Sequence, residues 1–187
     1  RSIWVTGVQT CALPISDAVM LSGESAVGKY PVKAVQAMAQ VILGAEKYES
    51  SHSPVRHRSD GGTFEKTDEA IAMAVMYTAN HLKVKAIVAL TESGSTPLWM
   101  SRIRTDIPIY AFTRHEVTRR RVMLYRGVYP INFDVTHTDS QAVYADIFQL
   151  LLEQKIVDDG DRIILTKGEL SGVSGKTNSM KILEVRA

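Results

Sequence analysis

The sequence predicts an α/β fold with a mainly parallel sheet of about five strands, covered by helices on both faces. Short apolar runs without alternation recur along the chain, and such runs are typical of strands buried on both faces of a sheet. Segments with helical periodicity stand between them, which implies right-handed crossover connections. With 187 residues, of which 45% are hydrophobic, the chain can bury a core of this kind.

The first predicted element is a buried strand at Asp17–Ser22 (DAVMLS), followed by a loop of small and polar residues over 23–30. A helix is expected to begin at Pro31, because proline is favoured at the first helical position, and to run to about Glu49. Its apolar stripe has the spacing of one helical face and consists of Val35, Met38, Ala39 and Ile42. This opening is therefore a strand–loop–helix unit.

Residues 1–15 (RSIWVTGVQTCALPI) are excluded from the fold prediction. They have neither helical nor strand periodicity, and they end abruptly against the ordered pattern that begins at Ser16. The segment is similar to translated sequencing-adaptor sequence, so we treat it as non-native. A native strand is the alternative.

A polar segment, Ser50–Lys66, is the predicted domain boundary, because it contains Pro54, Gly61 and Gly62 and almost no core-forming side chains. After it, Thr67 is the expected cap of a helix. The inner face of that helix is predicted to consist of Ile71, Ala74, Val75 and Thr78. The elements that follow alternate between strand and helix: strand Lys85–Leu90, helix Pro97–Arg104, strand Ile107–Thr113, helix Glu116–Leu124, strand Val128–Phe133, a helix capped by Asp139 that runs to Lys155, strand Arg162–Thr166 and, at the sheet edge, strand Met180–Val185.

Composition excludes several classes of protein. The 22 basic and 20 acidic residues give a net charge of +2, which is too small to indicate a nucleic-acid-binding protein. No apolar run approaches the roughly 20 residues of a membrane span, and nothing reads as a signal peptide. Cys11 is the only cysteine and the five histidines lack metal-ligand spacing, so neither a disulfide framework nor a zinc site is expected. The prediction is a cytoplasmic protein without a membrane or nucleic-acid partner.

The first candidate site is the loop Thr91–Thr96 (TESGST), which follows a strand and precedes a helix. Ligands of open α/β sheets bind beyond the carboxyl ends of strands, and free backbone N–H groups at a helix start suit an anion. Gly94 permits close approach of the backbone. Hydroxyl groups are supplied by Thr91, Ser93, Ser95 and Thr96. A phosphate site is one interpretation, an ordinary turn with Thr96 as N-cap is the other, and the pattern alone favours neither.

The second candidate is the loop Gly168–Asn178 (GELSGVSGKTN), after another strand. Its GKT ending is like that of a P-loop, but Leu170 stands where that motif needs glycine and a strand rather than a helix follows. A nucleotide hydrolase is therefore excluded. A hydroxyl-rich loop with one lysine could fold over a phosphate group at the first loop; a long mobile hairpin connection is the alternative. The residues expected to contribute are Ser171, Gly172, Ser174, Gly175, Lys176 and Thr177.

The third candidate is the pair Ser22 and Glu24, in the turn after the first strand. Polar residues at the carboxyl end of a β/α barrel strand face the active site, so this pair could orient a substrate or nucleotide. The pattern alone favours a polar turn over a catalytic pair.

These segments together resemble the pyruvate kinase family. Ser16–Pro31 (SDAVMLSGESAVGKYP) is similar, without gaps, to the family signature around its eighth barrel strand. The rest of the chain resembles the family's C-terminal domain, including the motifs TDEAIA, IVALTESGST and GxxSGxxGxTN. The resemblance implies the last strand–helix unit of a TIM barrel at 16–50, a linker at 51–66, and an allosteric effector-binding domain with a three-layer α/β/α sheet at 67–187.

The resemblance also implies an activity and partners. The family transfers a phosphoryl group from phosphoenolpyruvate to ADP, giving pyruvate and ATP, with Mg²⁺ and often K⁺, and the intact enzyme is a homotetramer. Ser22 and Glu24 would lie on the nucleotide side of that active site. The Thr91–Thr96 loop would hold the phosphate of a sugar-phosphate or AMP effector, with residues 171–177 closing over it. The TESGST form, with TRH at Thr113–His115, is more similar to the bacterial subgroup activated by AMP or ribose 5-phosphate than to the fructose-1,6-bisphosphate group.

The sequence departs from the family before Ser16, where the adaptor-like segment stands in place of the expected barrel motif. The earlier barrel strands, which carry the family's Mg²⁺-binding carboxylates, K⁺ site and catalytic lysine, are not in this sequence. Phosphoryl transfer depends on metal and cationic charge stabilisation, so the segment alone is expected to be inactive. Asp17–Ser22 is likewise expected to lack paired neighbours. A free-standing phosphate-binding regulatory module is the alternative function, but it would have no use for a barrel signature.

Overall fold

A computed structural model describes residues 19–52, 63–135, 139–168 and 177–186. The chain divides into two units, residues 1–55 and residues 56–187. The described part of the first unit contains two helices, α1 (Gly23–Ala26) and α2 (Pro31–His52). The helix predicted to begin at Pro31 is confirmed, and it ends three residues later than expected.

The strand predicted at Asp17–Ser22 is wrong for residues 19–22, the part that the structure describes, because they have no regular structure. A strand needs a neighbour to satisfy its backbone groups. The carbonyl of Ser22 instead accepts hydrogen bonds from the backbone N–H groups of Ser25 and Ala26, which starts α1. The apolar stripe expected on α2 is not buried within this unit, since Val35 is 54% exposed.

The second unit is built on a five-stranded sheet in the order β3-β2-β1-β4-β5. The first four strands are parallel to one another, and β5 lies antiparallel to β4 at the edge. The strands are β1 (Ala86–Leu90), β2 (Ile109–Thr113), β3 (Val128–Asn132), β4 (Arg162–Gly168) and β5 (Thr177–Glu184). The helices between them are α3 (Thr67–His81), α4 (Ser95–Ser101), α5 (Glu116–Val122) and α6 (Ser140–Glu153). The predicted sheet, with its last strand at the edge, is confirmed.

Two hydrophobic cores lie on opposite faces of this sheet. Because successive strand residues point to opposite sides, Ile87 and Ala89 of β1 belong to one core, and Ala86 and Val88 belong to the other. Helices α3, α4 and α5 contribute to the first core, and α6 contributes to the second. The three-layer arrangement is confirmed, and it puts α4 and α6 on opposite faces.

The predicted inner face of α3 is wrong by one position. The buried residues are Asp68, Ala72, Val75, Met76 and Ala79, whereas Ala74 is exposed. Lys66 rather than Thr67 occupies the N-cap position. The helix carries two overlapping apolar stripes. The stripe that faces the sheet contains small alanines, and small side chains at a contact allow close packing of the helix backbone, which favours this face.

Most other element boundaries agree with the prediction within about two residues, the usual uncertainty of such ends. Two differences bear on the candidate site. Helix α4 begins at Ser95 and ends at Ser101, so it starts two residues earlier than expected and includes Ser95 and Thr96. Strand β5 begins at Thr177 rather than Met180, which makes Thr177 part of the sheet.

Candidate functional site

The two predicted loops leave the same edge of the sheet. Strands β1 and β4 are parallel neighbours, with Ala89 opposite Thr166, so their carboxyl ends lie side by side. The first loop follows β1 directly, and the second loop joins β4 to β5. Ligands of open α/β sheets bind at this edge.

Thr96 and Thr177 connect the two segments. Their side-chain oxygens lie 2.7 Å apart and share a hydrogen bond, and both residues are buried. Thr177 is the last of the six second-loop residues predicted to contribute. The other five, Ser171, Gly172, Ser174, Gly175 and Lys176, lie outside the described residues.

Gly94 fixes the shape of the first loop. It occupies the N-cap position of α4 with φ at 82°, a conformation that glycine adopts without steric cost. A Cβ atom at this position would lie 2.9 Å from Cγ1 of Val122 on α5. The Thr91 hydroxyl oxygen accepts a hydrogen bond from the Gly94 N–H at 2.9 Å, which closes the turn. In the alternative interpretation of this loop as an ordinary turn, the N-cap is therefore Gly94 and not Thr96.

The hydroxyl groups of the first loop are not equally free to donate. The Ser95 hydroxyl donates to Oδ2 of Asp68 at 2.6 Å, and Thr96 is engaged with Thr177. Among the described residues Thr91 acts only as an acceptor, so its own O–H can donate to a ligand. An anion at this loop would draw first on Thr91, on Ser93, and on the backbone N–H groups at the start of α4.

Asp68 is a buried carboxylate beside the loop that pattern reasoning did not identify as part of the site. It is 3% exposed, and its second oxygen accepts the Glu69 backbone N–H at 3.1 Å. Its position in the first turn of α3 favours a negative charge. The sequence pattern indicates only that Asp68 lies in the first turn of a helix. It does not indicate the contact with Ser95, which is 27 residues away along the chain.

Helix α5 holds the loop from the other side. The Thr118 hydroxyl donates to the Glu92 carbonyl at 2.7 Å, and Nη1 of Arg121 donates to the Ser93 carbonyl at 3.4 Å. The Glu92 carboxylate pairs with Nε2 of His115 and lies 3.7 Å from Nε of Arg114. The negative charge inside the loop is thus opposed by basic groups, which reduces its repulsion of an anion.

Ser22 and Glu24 are both exposed residues of the first unit, and they contact each other. The Ser22 backbone N–H donates to Oε2 of Glu24 at 3.2 Å. Hydrogen bonds from the backbone of Glu24 and of Ser22 lower the pKa of the Glu24 carboxyl, so it is held in the ionised form. This geometry closes the first turn of α1 and leaves the Ser22 hydroxyl outside that contact.

The described residues contain no group of three or more His, Cys, Asp or Glu side chains that could hold a metal ion. Among the helices that the structure describes, none has the length and apolar character to cross a bilayer.

Comparison with known proteins gives a consistent match. The family model for the alpha/beta domain of pyruvate kinase matches residues 69–183. The chain is 45% identical over 182 residues to pyruvate kinase II of Salmonella typhimurium, covering 97% of this chain and 37% of that protein. It is 46% identical over 182 residues to a pyruvate kinase of Buchnera aphidicola subsp. Schizaphis graminum, with the same two shares. Against a pyruvate kinase of Geobacillus stearothermophilus it is 37% identical over 168 residues, covering 89% of this chain and 28% of the relative. The chain therefore spans 28% to 37% of these relatives' length.

Proposed function

The chain belongs to the pyruvate kinase family, and from that premise we propose that it supplies the effector-binding α/β domain of such an enzyme. The whole protein would transfer the phosphoryl group of phosphoenolpyruvate to ADP, giving pyruvate and ATP in glycolysis. The domain would bind the phosphate of AMP or of a sugar phosphate at the Thr91–Thr96 loop. Residues 171–177 would close over it.

The observation that carries this proposal is the hydrogen bond between Thr96 and Thr177. A phosphate site made from two loops requires that they meet, and this contact joins the helical end of one to the strand end of the other. The loop Thr91–Thr96 is also held by Asp68 on one side and by Thr118 on the other. A loop whose conformation is fixed before binding loses less entropy when the ligand arrives, which favours affinity.

The charges at the loop favour a single phosphate group on a small ligand. Asp68 and Glu92 are acidic, whereas Arg114, His115 and Arg121 are basic, and Glu92 already pairs with two of these. Neutral donors, the hydroxyl groups and backbone N–H groups, would therefore make most of the direct contacts. Such donors recognise phosphate by geometry rather than by net charge.

The catalytic part of the proposal rests on family membership. Ser22 and Glu24 would lie on the nucleotide side of the active site, within a barrel segment at 16–50 that a linker at 51–66 joins to the effector domain at 67–187. Mg²⁺ and K⁺ would be held by the earlier barrel strands that family membership implies. The segment alone should be inactive, since phosphoryl transfer depends on metal and cationic charge stabilisation.

Regulation would act through a quaternary equilibrium. A cytoplasmic homotetramer can respond to an effector only if the effector binds one quaternary state more tightly than the other. Binding at the loop would favour that state and so change the affinity of a distant active site for its substrate.

The test is calorimetry on the 187-residue chain with AMP, ribose 5-phosphate and fructose 1,6-bisphosphate. At least one of the three should bind. A Thr96→Glu variant should abolish binding at the loop, because a carboxylate about 4 Å from a phosphate costs about 4 kcal/mol per unit charge near a protein surface. Since Thr96 is buried, Ser93→Glu places the same charge at a half-buried position as a second variant. Thr105→Glu, before β2 and away from the loop edge, is the matched control.

Binding that Ser93→Glu leaves unchanged would assign the phosphate to another position, and failure of the unmodified chain to bind all three ligands would contradict the effector site. Circular dichroism of each variant separates loss of binding from loss of fold. The alternative, a regulatory module without a catalytic partner, is tested by the upstream reading frame: a family-like barrel there supports the enzyme, and an unrelated domain supports the module.

A further inference from the structure

A cluster of two lysines, a serine and a buried tyrosine lies on the α6 face of the sheet. The Tyr144 cluster, as we name it, consists of Ser140 and Tyr144 of α6, Lys167 of β4 and Lys181 of β5. The Nζ atoms of Lys167 and Lys181 lie 5.5 and 5.2 Å from the centre of the Tyr144 ring. Nζ of Lys167 also donates a hydrogen bond to the Ser140 hydroxyl at 2.7 Å.

The sheet register forces the two lysines together. Lys181 stands opposite Leu165, and Lys167 stands opposite Ser179, so the two lysines are diagonal neighbours on one face of the β4–β5 pair. Like charges at such positions repel each other. Within the part of the chain that the structure describes, neither ammonium group makes a salt bridge with a carboxylate. Among the described residues only the face of the Tyr144 ring offsets this repulsion, through its attraction for the two ammonium groups.

Tyr144 provides a second, independent observation. It is 5% exposed, and its buried hydroxyl group makes no hydrogen bond of ordinary geometry among the described atoms. Its polar neighbours are the ammonium groups of Lys181 and Lys167. Burial would raise the pKa of Tyr144, but hydrogen bonding to these two lysines and their positive charge lower it. Because an ammonium group can only donate, the tyrosine oxygen acts as an acceptor toward the lysines, and its own O–H can still donate to an anion.

We propose that the Tyr144 cluster is a second anion site, which binds a dianionic tetrahedral oxyanion, as in inorganic phosphate or a phosphate monoester. Two ammonium groups match the two negative charges, and the hydroxyl groups of Ser140 and Tyr144 add neutral donors from a third element. Lys181 is exposed and Lys167 is half-buried, so a ligand reaches the cluster from solvent. Movement of the flexible lysine side chains toward the anion opens the path to the tyrosine hydroxyl.

This site is distinct from the loop at Thr91–Thr96. The loop leads into α4, on the face of the first core, whereas Tyr144 belongs to the second core on the opposite face. Asp139, at the start of α6, directs one oxygen to the Ala142 backbone N–H at 3.2 Å, so it is engaged as a helix cap. The inference does not depend on the effector function proposed above, and either can fail without the other.

The experiment is a titration of the 187-residue chain with inorganic phosphate at constant ionic strength, followed by calorimetry and by thermal unfolding. Lys167→Gln and Lys181→Gln should each weaken phosphate binding by about tenfold or more, because each removes one charged donor. Lys83→Gln, an exposed lysine before β1, is the matched control and should bind like the unmodified chain. Thr96→Glu should leave this binding intact, which separates the cluster from the loop.

A second measurement, of the Tyr144 pKa, tests whether phosphate lies beside the Tyr144 hydroxyl group. Phosphate in the cluster would offset the positive charge beside Tyr144, so the pKa of its hydroxyl should rise on binding, as followed by NMR of labelled tyrosine rings. Ribose 5-phosphate, titrated into Thr96→Glu, distinguishes an ester from free phosphate: tighter binding than phosphate assigns an ester, and weaker binding assigns the free ion. The inference is overturned if the Lys167→Gln/Lys181→Gln double variant binds phosphate as well as Lys83→Gln, or if the Tyr144 pKa does not respond.

Discussion

The hydroxyl groups of Thr96 and Thr177 are joined by a buried hydrogen bond of 2.7 Å, although 81 residues separate them along the chain. Thr96 lies in the first turn of α4 and Thr177 at the first residue of β5. The contact therefore ties a helix on one face of the sheet to the edge strand. A displacement of Thr177 would therefore also act on the first turn of α4 through this hydrogen bond.

Thr96→Val should destabilise the domain by about 1–3 kcal/mol, because the Thr177 hydroxyl is then left buried without a partner. Thr177→Val should have a similar effect. The double variant should be less destabilised than the sum of the two, since no polar group is left unpaired. Urea unfolding of the four proteins measures this coupling. Strictly additive effects would mean that the two hydroxyls do not stabilise each other.

Gly94→Ala should destabilise the domain more than a comparable change at Gly160. Both glycines have a positive φ, 82° and 84°, so both substitutions strain the backbone by about 1 kcal/mol or more. Only at Gly94 does the new Cβ also meet a neighbour, at 2.9 Å from Val122 Cγ1, whereas nothing lies within 4 Å at Gly160. The difference in unfolding free energy isolates the contact with α5. Equal destabilisation would indicate that α5 yields without cost.

Much of the fold follows from local pattern. Apolar runs of four to six residues identify strands such as Ala86–Leu90, since a strand buried on both faces needs no alternation. The predicted inner face of α3 differs from the observed one by one position. Ile71 and Val75 lie on one apolar stripe of this helix, and Val75 and Ala79 lie on another. Only packing against the sheet chooses between them.

The candidate site was predictable only in part, for a related reason. The sequence of Thr91–Thr96 predicts a polar turn after a strand, but the residues that hydrogen-bond to this turn come from distant segments of the chain. Asp68 is 27 residues from Ser95, and Thr118 is 26 residues from Glu92. No periodicity links such positions. The Tyr144 cluster could likewise not be predicted from the sequence, because it depends on the register between β4 and β5.

Asp68→Ala should weaken effector binding at the loop and lower stability, since the Ser95 hydroxyl loses its acceptor and turns toward other partners. Asp68→Asn keeps one side-chain oxygen as an acceptor and should restore most of the affinity. Ser95→Ala is the matched partner change, and its effect should not add to that of Asp68→Ala. Calorimetry with the tightest of the three effectors and urea unfolding separate binding from stability. Full affinity in Asp68→Ala would remove Asp68 from the positioning role.

Tyr144 and Tyr110 should affect the pH dependence of stability with opposite signs. The ordinary pKa of tyrosine is about 10. Lys181 and Lys167 outweigh burial and lower the pKa of Tyr144, so its contribution to stability is present above pH 10 and is lost as the pH falls through the lowered value. Burial, followed by the nearby Tyr129, raises the pKa of Tyr110, so its contribution is present below pH 10 and is lost as the pH rises toward the raised value.

Unfolding free energies between pH 8 and pH 10.5, measured against the Phe variants, test these signs. The difference between the unmodified chain and Tyr144→Phe should increase with pH, whereas the difference for Tyr110→Phe should decrease. Each Phe variant serves as the control for the other, because global changes in charge affect both equally. A Tyr144 difference that stays flat would mean that the two lysines do not act on its hydroxyl. Saturating phosphate should reduce the slope for Tyr144 alone, because an anion beside the lysines cancels the field that lowers its pKa.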